Sequence, residues 1–250
     1  MITQKFVNVP LLQALAAFCL MAVMTGCAVS KGFDRGALRQ SLQPPATDQE
    51  IQAVLDLKPQ LPAPFKLGVY LSSGGNYSRR WYWTNEEKDA LLAYGEELKK
   101  AGMISDIRLV SDFTVEVRKS TFMSGYSGGS LKDIRLAAAR YGVDALLIVN
   151  SVSAVDRYNN FAALLYWTIV GLYLVPGTHS DALVMINGSL WDVRNEYLYA
   201  TEEAEAVART LGSAMLLEDV SAIDQAKQKA IGEFGKRFVT RLKTLQANQP

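Results

Sequence analysis

The apolar run Phe161–Pro176, FAALLYWTIVGLYLVP, constrains the fold more than any other stretch beyond the N-terminus. It contains no charged residue and lies between two segments with the composition of buried strands, Asp144–Val152 and Ala182–Val193. A transmembrane helix needs about 20 apolar residues, whereas this run is shorter and is interrupted by Gly171. Flanking strands that pair in one sheet place both ends of the run on the same side. The run therefore predicts a helical turn or hairpin that leaves the sheet and returns to it.

Two environments are open to this excursion. The plainer prediction is that it packs against the domain's own helices. If it is exposed instead, its large side chains form an apolar patch too large for a solitary soluble protein, and the excursion is a contact surface. The residues that would form this surface are Leu164, Tyr166, Trp167 and Tyr173.

The remaining segments alternate predicted strands and helices. A helix at Ser130–Tyr141 leads by a short turn into the buried strand at 144–152, as in a βαβ unit. Glu202–Leu217, rich in Glu and Ala, is ambiguous and is consistent with a frayed helix. We predict an α/β (α+β) fold, with a single three-layer-like domain over residues 65–246 and a mixed sheet of about five strands flanked by helices. Its other predicted elements are the strands Phe65–Leu71, Ile104–Val110, Phe113–Val117 and Glu196–Thr201 and the helices Thr84–Ala101 and Val220–Leu245.

The N-terminus has the layout of a secretory signal over residues 1–26, with one cation, an apolar stretch too short to span a bilayer, and small residues before Cys27. The tetrad Met24-Thr25-Gly26-Cys27 resembles the lipobox of bacterial lipoproteins. That resemblance implies that the sulfur of Cys27 receives a diacylglycerol, that the signal is cut between Gly26 and Cys27, and that the new amino terminus is acylated, for example by palmitate. Ala28 in place of Asp implies the outer membrane, facing the periplasm. The alternative is an ordinary cleaved signal with an incidental cysteine.

Residues 27–64 are predicted to be a lipidated N-terminus and a tether. Five prolines between residues 44 and 64 favour an extended, stiff chain that can lift a domain from a membrane. Within the tether, Thr47 and Glu50 form a capping-box pattern that predicts a short helix over Thr47–Leu57.

Composition excludes several classes of function. The 26 Lys+Arg and 25 Asp+Glu leave no field to attract nucleic acid. One histidine, and two cysteines confined to the N-terminal segment, exclude a Cys/His zinc site. We predict no metal and no cofactor. The interleaved basic and aromatic residues at Tyr77–Trp83 could stack on sugars or bases, but packing of Trp81 and Trp83 as a lid over the following helix is favoured.

A hydrolase motif is present in form. Gly125–Gly129 matches the G-x-S-x-G nucleophile elbow around Ser127, and His179 follows later in the chain. The third member would be Asp133, Asp144 or Asp156. An elbow usually follows most of a long parallel sheet, and few strands precede this one, so the glycines are better explained as the loop before the next helix. The chain is predicted not to be an enzyme.

Several segments together resemble the rhombotarget (rhombotail) lipoproteins of bacterial envelopes. They are Tyr141–Asp144, Tyr166–Gly171, Val175–Gly177, Asp181 and Trp191–Val193. The resemblance implies an envelope lipoprotein. Family members often carry a C-terminal tail proposed to be cut by a rhomboid-type protease, and the ending RLKTLQANQP lacks that pattern, so cleavage is not expected here. A more distant resemblance, in strand–helix order only, is to curli-secretion-type periplasmic lipoprotein domains.

Three functions follow, in order of preference. The first is a non-catalytic envelope lipoprotein, anchored by Cys27, whose α/β domain binds a protein partner or self-associates. The second is an oligomeric secretion or assembly component that inserts Phe161–Val175 into the membrane. The third is a serine hydrolase that uses Ser127 and His179.

Overall fold

The structure is a computed structural model that describes residues 30, 32–42, 54–72, 75–76, 79–80, 83–111, 114–115 and 130–247. The chain divides into two compact units. Unit 1 comprises the N-terminal residues up to Phe33, Val155–Ala182 and Arg209–Ala222, and unit 2 comprises Asp34–Ala154, Leu183–Ala208 and Ile223–Pro250. Most of the predicted strand at 113–117 and of the predicted helix at 47–57 lies outside the described residues.

The described elements follow one another in a mixed order. The strands are β1 (Phe65–Leu71), β2 (Gly75–Asn76), β3 (Arg79–Arg80), β4 (Ile104–Val110), β5 (Ala145–Asn159), β6 (Thr178–Asp192) and β7 (Leu198–Gly212). The helices are α1 (Arg35–Leu42), α2 (Asn85–Lys100), α3 (Leu131–Arg140), α4 (Ile169–Leu174) and α5 (Asp219–Ala247), with a 3₁₀ helix at Phe161–Trp167 between β5 and α4.

Five strands form one sheet in the order β4-β1-β5-β6-β7, and β2 and β3 form a separate antiparallel pair. β1 runs parallel to both β4 and β5. β5 and β6 run antiparallel, because Asn160 N–H donates to the Gly177 carbonyl where β5 ends and β6 begins (2.8 Å), and Val193 N–H donates to the Asp144 carbonyl at the opposite ends (3.1 Å). The prediction of a mixed sheet of about five strands flanked by helices is confirmed.

Helices cover both faces of the sheet in unit 2, which gives three layers. On one face, Tyr70, Leu146 and Ile148 pack in one buried cluster with Ile134 and Ala137 of α3. The opposite face carries Leu67, Val69 and Leu147, which enclose a small internal space with side chains of α2 and α5. The nearly continuous apolar sequence of β5 follows from this burial on both sides.

Two of the helix starts follow from capping residues. In α2, Thr84 Oγ1 accepts from Glu87 N–H (3.3 Å), and Glu87 Oε2 accepts from Thr84 N–H (3.0 Å), so a capping box begins the helix. In α3, Ser130 Oγ accepts from Asp133 N–H in the same way. Gly102 and Gly142 follow the two helices with φ of 73° and 67°, a conformation that favours glycine.

The expectation of a frayed helix at Glu202–Leu217 is wrong, since β7 continues to Gly212. Its buried alanines are Ala200, Ala204 and Ala208. A spacing of four residues suits one side of a helix, but it also suits every second inward position of a strand. Pairing with β6 in the sheet decides in favour of the strand.

The first part of the predicted tether is the helix α1, which lies against the sheet in unit 2. Arg35 and Arg39 pair with Glu205 and Glu203 of β7 at 3.2 and 2.8 Å. Both ion pairs are largely exposed and are expected to contribute little stability. Leu38 of this helix is buried, so apolar burial contributes to holding the helix in place.

Candidate functional site

The excursion between β5 and β6 is helical, one of the two predicted forms, and both of its helices are capped by side chains. Asn160 Oδ1 accepts from Ala162 N–H (2.9 Å) at the start of the 3₁₀ helix. Thr168 Oγ1 accepts from Gly171 N–H (2.9 Å) at the start of α4. These caps satisfy backbone donors that a helix start would otherwise leave unpaired.

The preferred prediction for its environment, packing against the domain's own helices, is wrong. Trp167, Ile169 and Phe161 are 86%, 79% and 78% exposed. Leu165, Val170, Tyr173 and Leu174 are exposed as well. The reason is that the short helices alternate apolar residues on every side, so a single packed face cannot bury them all.

A second segment adds to this surface, and sequence reasoning missed it. Met215 and Leu216 follow β7 and are exposed. Met215 N–H donates to the Leu172 carbonyl of α4 (3.3 Å), which brings the two segments together in unit 1. The sequence signal was the apolar triplet 215–217 beside acidic residues. We define the apolar surface as Phe161, Leu165, Trp167, Ile169, Val170, Tyr173, Leu174, Met215 and Leu216.

The four side chains predicted to form a contact surface occupy different environments. Trp167 and Tyr173 are exposed and belong to the apolar surface, whereas Leu164 and Tyr166 are half-buried. Tyr166 supports the surface from below through its hydroxyl. That oxygen lies 2.8 Å from Gly177 N and 2.9 Å from Thr178 Oγ1.

Two carbonyls complete the surroundings of the Tyr166 hydroxyl. The carbonyl oxygens of Val175 and Gly212 lie 3.2 and 3.4 Å from it. One hydroxyl thus connects the excursion with the ends of β6 and β7. We call the Tyr166 hydroxyl and these four partners, at Val175, Gly177, Thr178 and Gly212, the polar base of the apolar surface.

Arg157 holds the turn that carries Met215 and Leu216. Its guanidinium donates to the carbonyls of Ala214 (3.0 Å) and Leu217 (3.3 Å). A shallow cavity beside it is lined by Arg157, Tyr158, Asn159, Thr178 and Ala214. Because backbone carbonyls occupy these donors, the cavity wall serves to position the turn.

His179 follows Thr178 of the polar base in the sequence, and its contacts are with neighbouring side chains. Its ring stacks on Tyr158 with centroids 5.0 Å apart, and its Nε2 lies 3.2 Å from Asn160 Nδ2. Burial and the carboxylate of Asp181 raise the pKa of Tyr158. Asp181 Oδ1 is buried without a hydrogen-bond partner among the described residues.

The three aspartates considered for a hydrolase triad bind other groups. Asp133 caps α3, and Asp144 pairs with Arg194 (2.6 Å). Asp156 accepts from the Ser30 hydroxyl and from Gly32 N–H (3.1 Å). Ser127, like the predicted lipidation and cleavage residues Cys27 and Gly26, lies outside the described residues.

Within the described ranges, no three His, Cys, Asp or Glu residues come together as metal ligands could. No helix in the same ranges combines the length and hydropathy needed to cross a bilayer.

No protein-family model and no curated protein matches the sequence. Several solved structures resemble the chain. The minor lipoprotein of Acinetobacter baumannii is 10% identical over 75% of this chain and 96% of its own, with a TM-score of 0.35. Lipoprotein GNA1162 of Neisseria meningitidis is 14% identical over 72% and 99%, with a TM-score of 0.29. PelC of Paraburkholderia phytofirmans, a dodecamer, is 13% identical over 74% and 94%, with a TM-score of 0.30.

Two of these three are bacterial lipoproteins by their descriptions. With TM-scores below 0.5, these likenesses do not establish a common fold. Membership of the rhombotarget lipoproteins stays a prediction.

Proposed function

We propose that this chain is a non-catalytic lipoprotein of the bacterial envelope that acts through the apolar surface of unit 1. The observation that carries the proposal is the exposure of Trp167, Ile169 and Phe161 on capped helices above a fixed polar base. Exposed apolar patches of this kind mark contact sites. The anchor is the acylated Cys27, and the location is the outer membrane, facing the periplasm.

The absence of catalysis is part of the proposal. The described partners of Tyr166, Arg157 and His179 in unit 1 are carbonyls, a backbone N–H and neighbouring side chains. These contacts hold the fold in place. A nucleophile and a base in hydrogen-bond reach of one another would be needed for the hydrolase alternative.

Three occupants suit the apolar surface. A protein partner or a second copy of the chain would bury it in an interface. The alternative function, an oligomeric assembly component, would bury Phe161–Val175 in lipid. The exposed apolar residues favour all three over a solitary soluble domain.

The anchor is tested by labelling cells with radioactive or alkyne-tagged palmitate, followed by membrane fractionation. We expect the wild type to take up label and to sediment with membranes, and we expect Cys27→Ala to take up none. Cys19→Ala is the matched control, because Cys19 lies in the signal and should be removed with it. A wild type without label, or a Cys27→Ala chain labelled as strongly as the wild type, would refute the lipoprotein.

A further inference from the structure

The described N-terminal residues are attached to the same unit that carries the apolar surface. The Ser30 hydroxyl donates to the carboxylate of Asp156, and Gly32 N–H donates to Asp156 Oδ2 (3.1 Å). Asp156 belongs to β5 in unit 1, five residues before Phe161.

This attachment limits the distance between unit 1 and the lipid anchor. Cys27 precedes Ser30 by three residues, and three extended residues span at most about 11 Å. Acyl chains on Cys27 would therefore hold unit 1 close to the lipid headgroups, whatever the length of the proline-rich segment that follows.

The apolar surface has the chemistry of a lipid-facing segment. Residues 161–175 carry no charge and include tryptophan and tyrosine, which favour the boundary between headgroups and acyl chains. The caps at Asn160 and Thr168 satisfy backbone N–H groups that would be costly to leave unpaired in lipid.

We propose that the apolar surface is inserted into the interfacial layer of the same bilayer that holds the Cys27 acyl chains. This inference rests on the proposed lipoprotein anchor. The helices at 161–174 lie in the interface and do not cross the membrane, since apolar faces of such helices enter the bilayer by only about 5–10 Å. Each short helix is well below the length required for a span.

Burial of apolar area, and not charge, drives this insertion. The segments 155–182 and 209–222 contain two arginines against four acidic residues. The charged residues are Arg157, Arg209, Asp156, Asp181, Glu218 and Asp219. A net negative patch is not drawn to anionic lipid, so we expect insertion into pure phosphatidylcholine vesicles and no increase when phosphatidylglycerol is added.

The test uses the native lipoprotein reconstituted into phosphatidylcholine vesicles, with tryptophan emission quenched by lipids brominated near the headgroup. We expect strong quenching in the wild type and a several-fold smaller quenched signal in Trp167→Phe. Trp191→Phe is the matched control, since Trp191 lies half-buried on β6 in unit 2 with its Nε1–H donated to Ser189 Oγ (2.8 Å), and it should leave the quenched signal unchanged.

Each other outcome overturns the inference. A Trp167 signal quenched by aqueous iodide places the residue in water. A Trp167 signal shielded from both quenchers, with crosslinked dimers or a bound protein, places it in a protein interface. Quenching that requires phosphatidylglycerol would show that electrostatic attraction to anionic lipid, and not apolar burial, drives the binding.

The membrane insertion and the lipid anchor can be refuted separately. Palmitate label at Cys27 together with unquenched Trp167 refutes the insertion alone, whereas loss of the label refutes the anchor.

Discussion

Replacing Lys227 by methionine is expected to lower the free energy of unfolding by about 3 kcal/mol. Lys227 Nζ lies 2.8 Å from Glu87 Oε2, and the two side chains are only 7% and 10% exposed. Methionine fills a similar volume but leaves the Glu87 carboxylate buried without its cation. It would also remove the cation that lies 5.7 Å from the ring centroid of Trp83.

The control for this variant lies further along the same helix. Lys243 pairs with Glu97 of α2 at the same distance, 2.8 Å, but the two side chains are 48% and 52% exposed. Lys243→Met should cost less than about 1 kcal/mol, because water already solvates both charges. Urea titration followed by circular dichroism measures both losses. Equal losses would contradict the assignment of Glu87 and Lys227 as a buried pair, whereas adding Glu87→Gln to Lys227→Met should restore part of the stability.

Replacing Tyr199 by phenylalanine is expected to cost about 2 kcal/mol. Asp192 is fully buried, and its Oδ2 accepts from the Tyr199 hydroxyl at 2.8 Å. The same hydroxyl oxygen accepts from the N–H groups of Gln60 (3.0 Å) and Leu61 (2.9 Å). Phenylalanine would therefore leave a buried carboxylate oxygen and two backbone donors without this partner. Thermal or urea unfolding measures the loss.

This variant also has a pH signature. Burial and the Asp192 carboxylate raise the pKa of Tyr199 to about 12. Because the folded-state pKa is raised, the stabilisation is complete below the unfolded-state pKa of about 10 and disappears as the pH rises through 12. The stability difference between wild type and Tyr199→Phe should thus shrink between pH 10 and 12. Tyr197→Phe, two residues away, is the control, and a difference that persists unchanged to pH 12 would argue against the Asp192 bond.

Local sequence signals predicted much of unit 2. Phe65–Leu71 and Ile104–Val110 are strands with the predicted limits, because each is a short β-rich run between turn residues. The starts of α2 and α3 follow from Thr84 and Ser130. Trp83 is buried with its Nε1–H donated to the Ser72 carbonyl (3.1 Å). Trp81 lies outside the described residues, so the lid over the following helix stays a prediction.

Contacts between distant residues could not be predicted from local patterns. Glu87 and Lys227 are 140 positions apart, and in the sequence both look like ordinary surface charges. Whether the segment of β7 forms a strand or a helix depends on pairing with β6, since its alanine spacing suits both. The same limit applies to the apolar surface, where the apolar content of 161–176 was plain but its exposure, and the contribution of Met215, depend on tertiary contacts.

The attachment of Ser30 to Asp156 changes the role expected for the N-terminal region. A long tether would lift the domain from the membrane, whereas in the proposed lipoprotein a bond three residues after an acylated Cys27 would keep unit 1 beside it. In that arrangement, the apolar surface would need no further targeting signal to reach lipid. The proposed anchor and surface would then act on the same bilayer.

The most direct test of the lipid anchor is the intact mass of the protein isolated from membranes. We predict a chain that begins at Cys27 and carries a diacylglycerol on its sulfur and an acyl chain on its amino terminus. An unmodified N-terminus, or a chain that begins at any other residue, would contradict the lipoprotein on which the proposed function depends.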